Sequence, residues 1–358
     1  MKNKNIGILS FKPFTLGGGQ KMTLALCDFL CEYFNTFLFS FCKIKDLNFS
    51  INKKLKIIDL KAPDARVLYV LTKTFWKFKK IVSSEKIDVL IVSGSSPIPI
   101  VWLIKPFIKC KIIFWEHECI ANRDKKSFLF RRMACQISDK IVSISKATCD
   151  DYKLLLNCQK TELIYNFVDD KIYKNAGEYN LNSKLIISVG RLSHEKGFDL
   201  AIDTAKIIFK KHRNWQWHIY GEGSEYLNLE KKIKKNNLEK NLILKRRCDN
   251  ISQKYKNYAI FVLPSYREGL PLVLLEAKIN GIPSVSFDCK SGPNEIISNN
   301  INGFLIKCYN TKNMSQKIIN LIENKNLRAE FSKNCNLNLE KFNKKNLLKK
   351  WKNLINNL

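Results

Sequence analysis

The sequence predicts an α/β protein built from two doubly wound, parallel-sheet domains. Three observations predict it. Short apolar runs alternate with helical patterns from end to end. About a dozen such runs occur, too many for one ordinary sheet. A polar stretch without apolar periodicity divides them near the middle.

In the first half the strand-like runs fall at 6–10, 55–60, 87–92, 111–115, 140–143 and 163–165. In the second half they fall at 184–189, 217–220, 242–244, 259–263, 284–287 and 303–306. Each is short, apolar and bounded by polar or glycine-containing segments, as buried strands are. The polar stretch from Asp169 to Asn182 is the natural linker. The expected division is a first domain over 1–170, a second over 183–340, and a final helix over 341–358. That helix carries Leu347, Leu348, Trp351, Leu354 and Ile355 at helical spacing.

At 358 residues and 45% hydrophobic, the chain can bury two cores. No run of eighteen apolar residues suggests a membrane-spanning helix, and the first residues lack the apolar core of a signal peptide. The twelve cysteines include no C-x-x-C pair, so reduced core thiols in a cytoplasmic protein are expected, with no metal site and no cofactor. The net charge of +30 asks for an anionic partner: nucleic acid, a membrane face or an anionic substrate. Abundant Lys and Asn also fit a compositional bias. No nucleic-acid module is recognisable, so nucleic acid is not an expected partner. The segment Val67–Ser83 reads as a basic amphipathic helix with Trp76, suited to an anionic leaflet or to packing with a solvated basic face.

The most informative segment runs from Glu268 through Gly269, Leu270, Pro271 and Leu272 to Glu276. It follows an apolar strand, breaks at Gly and Pro, and continues as a helix, with Glu276 expected about two turns in. The N–H groups of a helix start bind anions and hydroxyls, and the two carboxylates flank that start. Elsewhere, Gly17, Gly18 and Gly19 follow the first strand and precede a helix, a turn that lets a phosphate approach. His117, flanked by Glu116 and Glu118, stands just past a strand end.

The run 268–277 with Asn280-Gly281-Ile282-Pro283 resembles the glutamate motif of retaining glycosyltransferases of family 4, which have the GT-B fold. Gly190-Arg191-Leu192 with Lys196-Gly197, and Gly221-Glu222-Gly223, resemble further segments of that family. The resemblance implies a donor-binding second domain and an acceptor-side first domain. It implies that Arg191 and Lys196 meet the donor pyrophosphate, whose charge grows as the glycosidic bond breaks. It implies Glu268 beside the donor sugar, Glu276 on the ribose hydroxyls, and Gly269, Leu270, Pro271 and Leu272 as backbone walls. Gly18, Gly19, Gly190, Gly221 and Arg246 line the donor site on this reading, and His117 positions the donor. No D-x-D sequence occurs, which points to metal-independent phosphate neutralisation. The segment 287–295 resembles members that transfer galactose, N-acetylgalactosamine or glucose to surface polysaccharides. The implied reaction moves such a hexose from a UDP-sugar to a lipid-linked glycan or a lipopolysaccharide or capsule acceptor. A nucleotide-sugar epimerase and a basic nucleic-acid-binding protein are the alternatives.

Overall fold

The computed structural model describes residues 4–15, 17–44, 51–62, 74–120 and 125–358. The chain forms two units, Met1–Phe167 with Lys344–Leu358, and Val168–Asn343. Each is a doubly wound α/β body with a Rossmann-like parallel sheet.

Among the described residues, the first unit carries seven parallel strands. They are β1 (Asn5–Ser10), β2 (Asn35–Cys42), β3 (Lys56–Ala62), β4 (Val89–Ser93), β5 (Lys111–Glu116), β6 (Lys140–Ser143) and β7 (Thr161–Leu163). Their spatial order is β3-β2-β1-β4-β5-β6-β7. The chain runs outward from β1 to one edge, then returns to the centre at β4. Loops after β1 and β4 therefore diverge at a topological switch point, where doubly wound sheets bind ligands. Ser10 of β1 lies opposite Ser93 of β4 in the parallel register.

The second unit repeats the plan with β8 (Leu185–Val189), β9 (Gln216–Tyr220), β10 (Leu242–Lys245), β11 (Ile260–Leu263), β12 (Ser284–Phe287) and β13 (Gly303–Ile306). The order is β10-β9-β8-β11-β12-β13, with the switch between β8 and β11. Its core gathers Ile186, Trp217, Ile260 and Val285 from the sheet and Phe198, Ile202, Ile208 and Ile318 from the covering helices. Strands buried on both faces read as continuous apolar runs, which is why short stretches such as 260–263 were legible.

Four details differ from the sequence expectation. The runs named from the sequence omit β2, because helix Gly18–Leu30 passes into it through Phe34 with neither Gly nor Pro between. The stretch Asp169–Asn182 is partly ordered into helix Asp170–Asn175, started by an Asp169 side chain that accepts from Lys171 N at 3.0 Å. The strand expected at 163–165 lies earlier, at Thr161–Leu163. The helix expected over 67–83 is described only from its second half, as Phe75–Ser84, and residues 67–73 lie outside the described residues. Helix Lys344–Asn356 buries Leu347, Leu348, Trp351, Leu354 and Ile355 within the first unit. There Trp351 packs edge-on to Trp115, with centroids 4.9 Å apart.

Candidate active site

In the second unit, the loops after β8 and β11 meet across the switch point. After β8 the chain runs through Gly190 and Arg191 into a short turn, His194–Lys196, closed by Gly197 at φ +63°. That left-handed backbone suits glycine, and a Cβ there would run into the carbonyl oxygen of Pro264. The close approach brings Lys196 to the loop after β11. Its Nζ donates to both carboxylate oxygens of Glu268, at 2.7 and 2.9 Å. Glu268 also accepts from Ser265 Oγ at 2.6 Å. Lys196 keeps 22% of its side chain exposed, while Glu268 keeps 6%. The ammonium therefore retains a solvent-facing side, and the carboxylate is fixed by two neighbours.

Gly269, Leu270 and Pro271 follow, and helix Leu272–Ile279 starts with Pro271 at its N-cap and no side chain capping it. The segment is held from behind by the loop after β12. Ser291 Oγ donates to Gly269 O at 2.8 Å. A Cβ at Gly292, which has φ +96°, would lie 2.6 Å from that same oxygen. A second close approach holds the loop after β9: a Cβ at Gly221 would strike the carbonyl oxygen of Gly190. At these glycines the backbone thus comes within direct contact of a carbonyl distant in sequence, which no larger residue permits.

The remaining sequence-derived residues of this unit are placed less tightly. Arg191 is 66% exposed at its side chain and stands 3.6 Å from Glu195 Oε1. Arg246 lays its guanidinium over the Tyr226 ring, 4.5 Å from the centroid, away from the Lys196–Glu268 pair in its contacts. Glu276 lies one turn, rather than two, into its helix, because the helix starts at Leu272. It is buried and accepts from Tyr255 Oη at 2.9 Å. Burial, and then the Glu276 carboxylate, push the Tyr255 phenol well above its usual range, so the tyrosine is a permanent donor.

In the first unit, His117 follows β5 and its Nε2 lies 2.9 Å from Ser93 Oγ, at the end of β4. Ser93 Oγ in turn lies 2.8 Å from Thr23 Oγ1, which donates to Gly19 O at 2.9 Å. A Cβ at Gly19 would sit 3.5 Å from the imidazole, so Gly19 brings the helix start against the ring, with Gly18 as the first residue of that helix. His117 Nδ1 is buried without a hydrogen-bond partner among the described residues. Burial lowers the His117 pKa to about 4, against the opposing pull of Glu116, so the ring is neutral at neutral pH. Beneath it, Glu116 accepts from Arg131 Nε at 2.5 Å and from Tyr152 Oη at 2.9 Å.

The sequence-derived set thus falls into two clusters, one per unit: Gly18, Gly19 and His117, and the residues between Gly190 and Glu276. Sequence reasoning missed Ser93, Thr23, Ser265, Tyr255 and the Glu116–Arg131–Tyr152 network. Single Ser, Thr and Tyr residues carry no spacing signal. Only the fold brings them to a partner.

A family model for glycosyl transferases group 1 matches residues 169–337, and one for glycosyltransferase family 4 matches residues 17–171. An uncharacterized glycosyltransferase of Haemophilus influenzae is 27% identical over 98% of this chain and all of its own length. A poly(ribitol-phosphate) α-N-acetylglucosaminyltransferase of Staphylococcus aureus is 37% identical over 54% of this chain, which spans 39% of that protein. The solved structure of a mutant of S. aureus TarM, in complex with fondaparinux, α-GlcNAc-glycerol and UDP, superposes with a TM-score of 0.84 at 18% identity, covering 99% of this chain and 100% of that one. Fold, both sheet topologies and the two family matches together define the class: this chain is a glycosyltransferase of GT-B fold.

Proposed function

We propose that this glycosyltransferase moves a hexose, galactose, N-acetylgalactosamine or glucose, from a UDP-sugar to a lipid-linked glycan or lipopolysaccharide-type acceptor, with retention of anomeric configuration. The observation that carries the reading is the Lys196 ammonium seated on Glu268 beside an uncapped helix start. A donor pyrophosphate arriving there finds a preformed cation and helix N–H groups. The carboxylate that holds the lysine stands ready to accept a sugar hydroxyl.

In this mechanism the diphosphate leaves the anomeric carbon while Lys196 and the exposed Arg191 neutralise its growing charge. Arg191 is loosely held by Glu195, so it can turn to the ligand at small cost. Glu276, oriented by Tyr255, accepts from the ribose hydroxyls. His117, neutral and hydrogen-bonded to Ser93, offers a fixed hydrogen bond to the donor sugar rather than acting as a base. The acceptor proton passes to the departing phosphate on the same face of the sugar. Charge neutralisation by side chains makes the reaction independent of divalent metal. The UDP in the solved S. aureus TarM complex supports a nucleotide-sugar donor, and the poly(ribitol-phosphate) α-N-acetylglucosaminyltransferase supports sugar transfer to a polymeric acceptor.

The test is thermal stabilisation and hydrolysis across a panel of UDP-, GDP- and CDP-sugars, followed by NMR assignment of the product anomer. UDP-sugars alone should stabilise and turn over, with or without EDTA. Selective response to another nucleotide, or interconversion of the sugar without transfer, would overturn the reading.

A further inference from the structure

Three neighbouring elements of the first unit leave an aromatic and basic face uncovered. They are helix Phe75–Ser84, helix Ile98–Ile104 with its continuation Lys105–Phe107, and helix Lys125–Ile137, which pack side by side. Trp76 is 63% exposed, Phe107 56%, Leu129 53% and Trp102 41%. These residues are joined rather than scattered. The Phe75 ring stands edge-on to Trp76 at 5.2 Å and to Phe107 at 6.0 Å. Lys79 Nζ lies 4.9 Å from the Trp76 centroid and 4.8 Å from that of Phe107. Trp102 Nε1 donates to Gln136 Oε1 at 2.9 Å, and Leu129 lies two turns before Gln136 on the same side of that helix.

The charge around this cluster has one sign. Residues 74–84, 97–111 and 125–137 contain no Asp or Glu, yet they hold Lys77, Lys79, Lys80, Lys105, Lys109, Lys111, Lys125, Lys126, Arg131 and Arg132. The acidic groups next to these elements are few: Glu116 and the exposed Glu118 lie on Arg131, Asp139 pairs with Lys111, and Glu85 caps the end of the first helix. Lys77, Lys80, Lys109, Lys125 and Arg132 are exposed.

This combination selects among partners. Protein interfaces are depleted in lysine, so a protein patch is a poor match for so many lysines. Single-stranded nucleic acid stacks its bases on open aromatic faces, but the Trp76 and Phe107 rings already carry the Lys79 ammonium. An anionic bilayer satisfies both features at once. Its interface accepts Trp and Phe, and its phosphates meet lysines that extend from an apolar base.

We propose that this face seats the protein on an anionic lipid bilayer, with Trp76 and Phe107 entering the headgroup layer and Lys77, Lys80, Lys109 and Lys125 meeting lipid phosphates. This goes beyond the sugar-transfer reading and does not depend on it.

The experiment is vesicle flotation of the full chain with phosphatidylcholine alone and with phosphatidylcholine mixed with phosphatidylglycerol. Anionic vesicles should bind about tenfold more strongly than neutral ones, and added salt should weaken that binding. Trp76→Ser with Phe107→Ser should lower partitioning about tenfold, and Lys77→Glu with Lys80→Glu should lower it by a similar factor. All four positions are exposed at the surface, and the thermal unfolding curve of each variant, compared with wild type, serves as the folding check. Wild-type binding that ignores lipid charge, or variants that bind as wild type does, would overturn the proposal. So would a wild-type dimer in sedimentation that Phe107→Ser dissolves, since the face would then belong to a second copy. Vesicle binding without a UDP response sinks the donor reading alone, and a UDP response without vesicle binding sinks this proposal alone.

Discussion

The two units share one topology and use it in opposite ways. At the switch point of the second unit, an ion pair is left partly open: Lys196 holds Glu268 while keeping a solvent-facing side. In the first unit, at the end of β5, the ion pair is sealed. Glu116 and Arg131 have side-chain exposures of 1% and 0%, and the residue presented beyond them is a neutral histidine. The difference teaches how position decides the worth of a charge. An open pair costs little desolvation and remains available to a ligand. A sealed pair fixes the backbone but is intolerant of losing one member.

The largest expected effect breaks the sealed pair. Arg131→Ala leaves the buried Glu116 carboxylate with the Tyr152 hydroxyl and the Glu118 amide but no cation, and should destabilise the protein by about 3–5 kcal/mol. Urea unfolding measures it, and a cost below about 1 kcal/mol would mean that the pair is solvated. The matching change in the second unit should act on chemistry. Arg191→Ala, at a side chain 66% exposed, should leave the melting temperature unchanged and lower turnover about a hundredfold. A double cycle with Lys196→Ala should be non-additive, since both meet one leaving group; additive losses would separate their roles.

Smaller effects sharpen the contrast. Tyr255→Phe removes the phenol that orients Glu276 and should weaken UDP affinity about tenfold in calorimetry, without loss of fold. An unchanged Kd would detach Glu276 from the ribose. The smallest effect is the pH response. His117 and His218 are both lowered to about 4 by burial, from an ordinary 6.5, with Lys245 adding to the shift at His218. The folded state then binds fewer protons than the unfolded state between these values. The contribution of these two histidines to stability should be constant above about pH 6.5 and be lost as pH drops toward about 4. His117→Asn should flatten part of that slope, and the turnover profile should show no ionisation of His117 near pH 6.5.

The two clusters also differ in how far they could be read beforehand. The second unit announces itself through contiguous pieces: Gly190-Arg191, Lys196-Gly197 and the run 268–276 each sit within a few residues of a strand end. Their spacing survives in one dimension because one loop supplies each piece. The first unit's relay joins Gly19, Thr23, Ser93 and His117 from three separate loops or helix starts. Nothing in the sequence ties a serine at 93 to a histidine at 117.

The sequence by itself determined the two parallel sheets, the strand-end positions of the glycines and the identity of Arg191, Lys196, Glu268 and Glu276 as the residues to watch. Apolar runs and turn residues act locally, so they can be read without the fold. Tertiary structure alone decided that Lys196 grips Glu268, that Arg131 and Tyr152 clamp Glu116, and that Glu276 rests on Tyr255. Strand β2 belongs with these, since only sheet pairing with β1 and β3 separates its phenylalanines from the preceding helix. Each is a contact between residues far apart in sequence, and its free energy exists only once burial has removed the competing water.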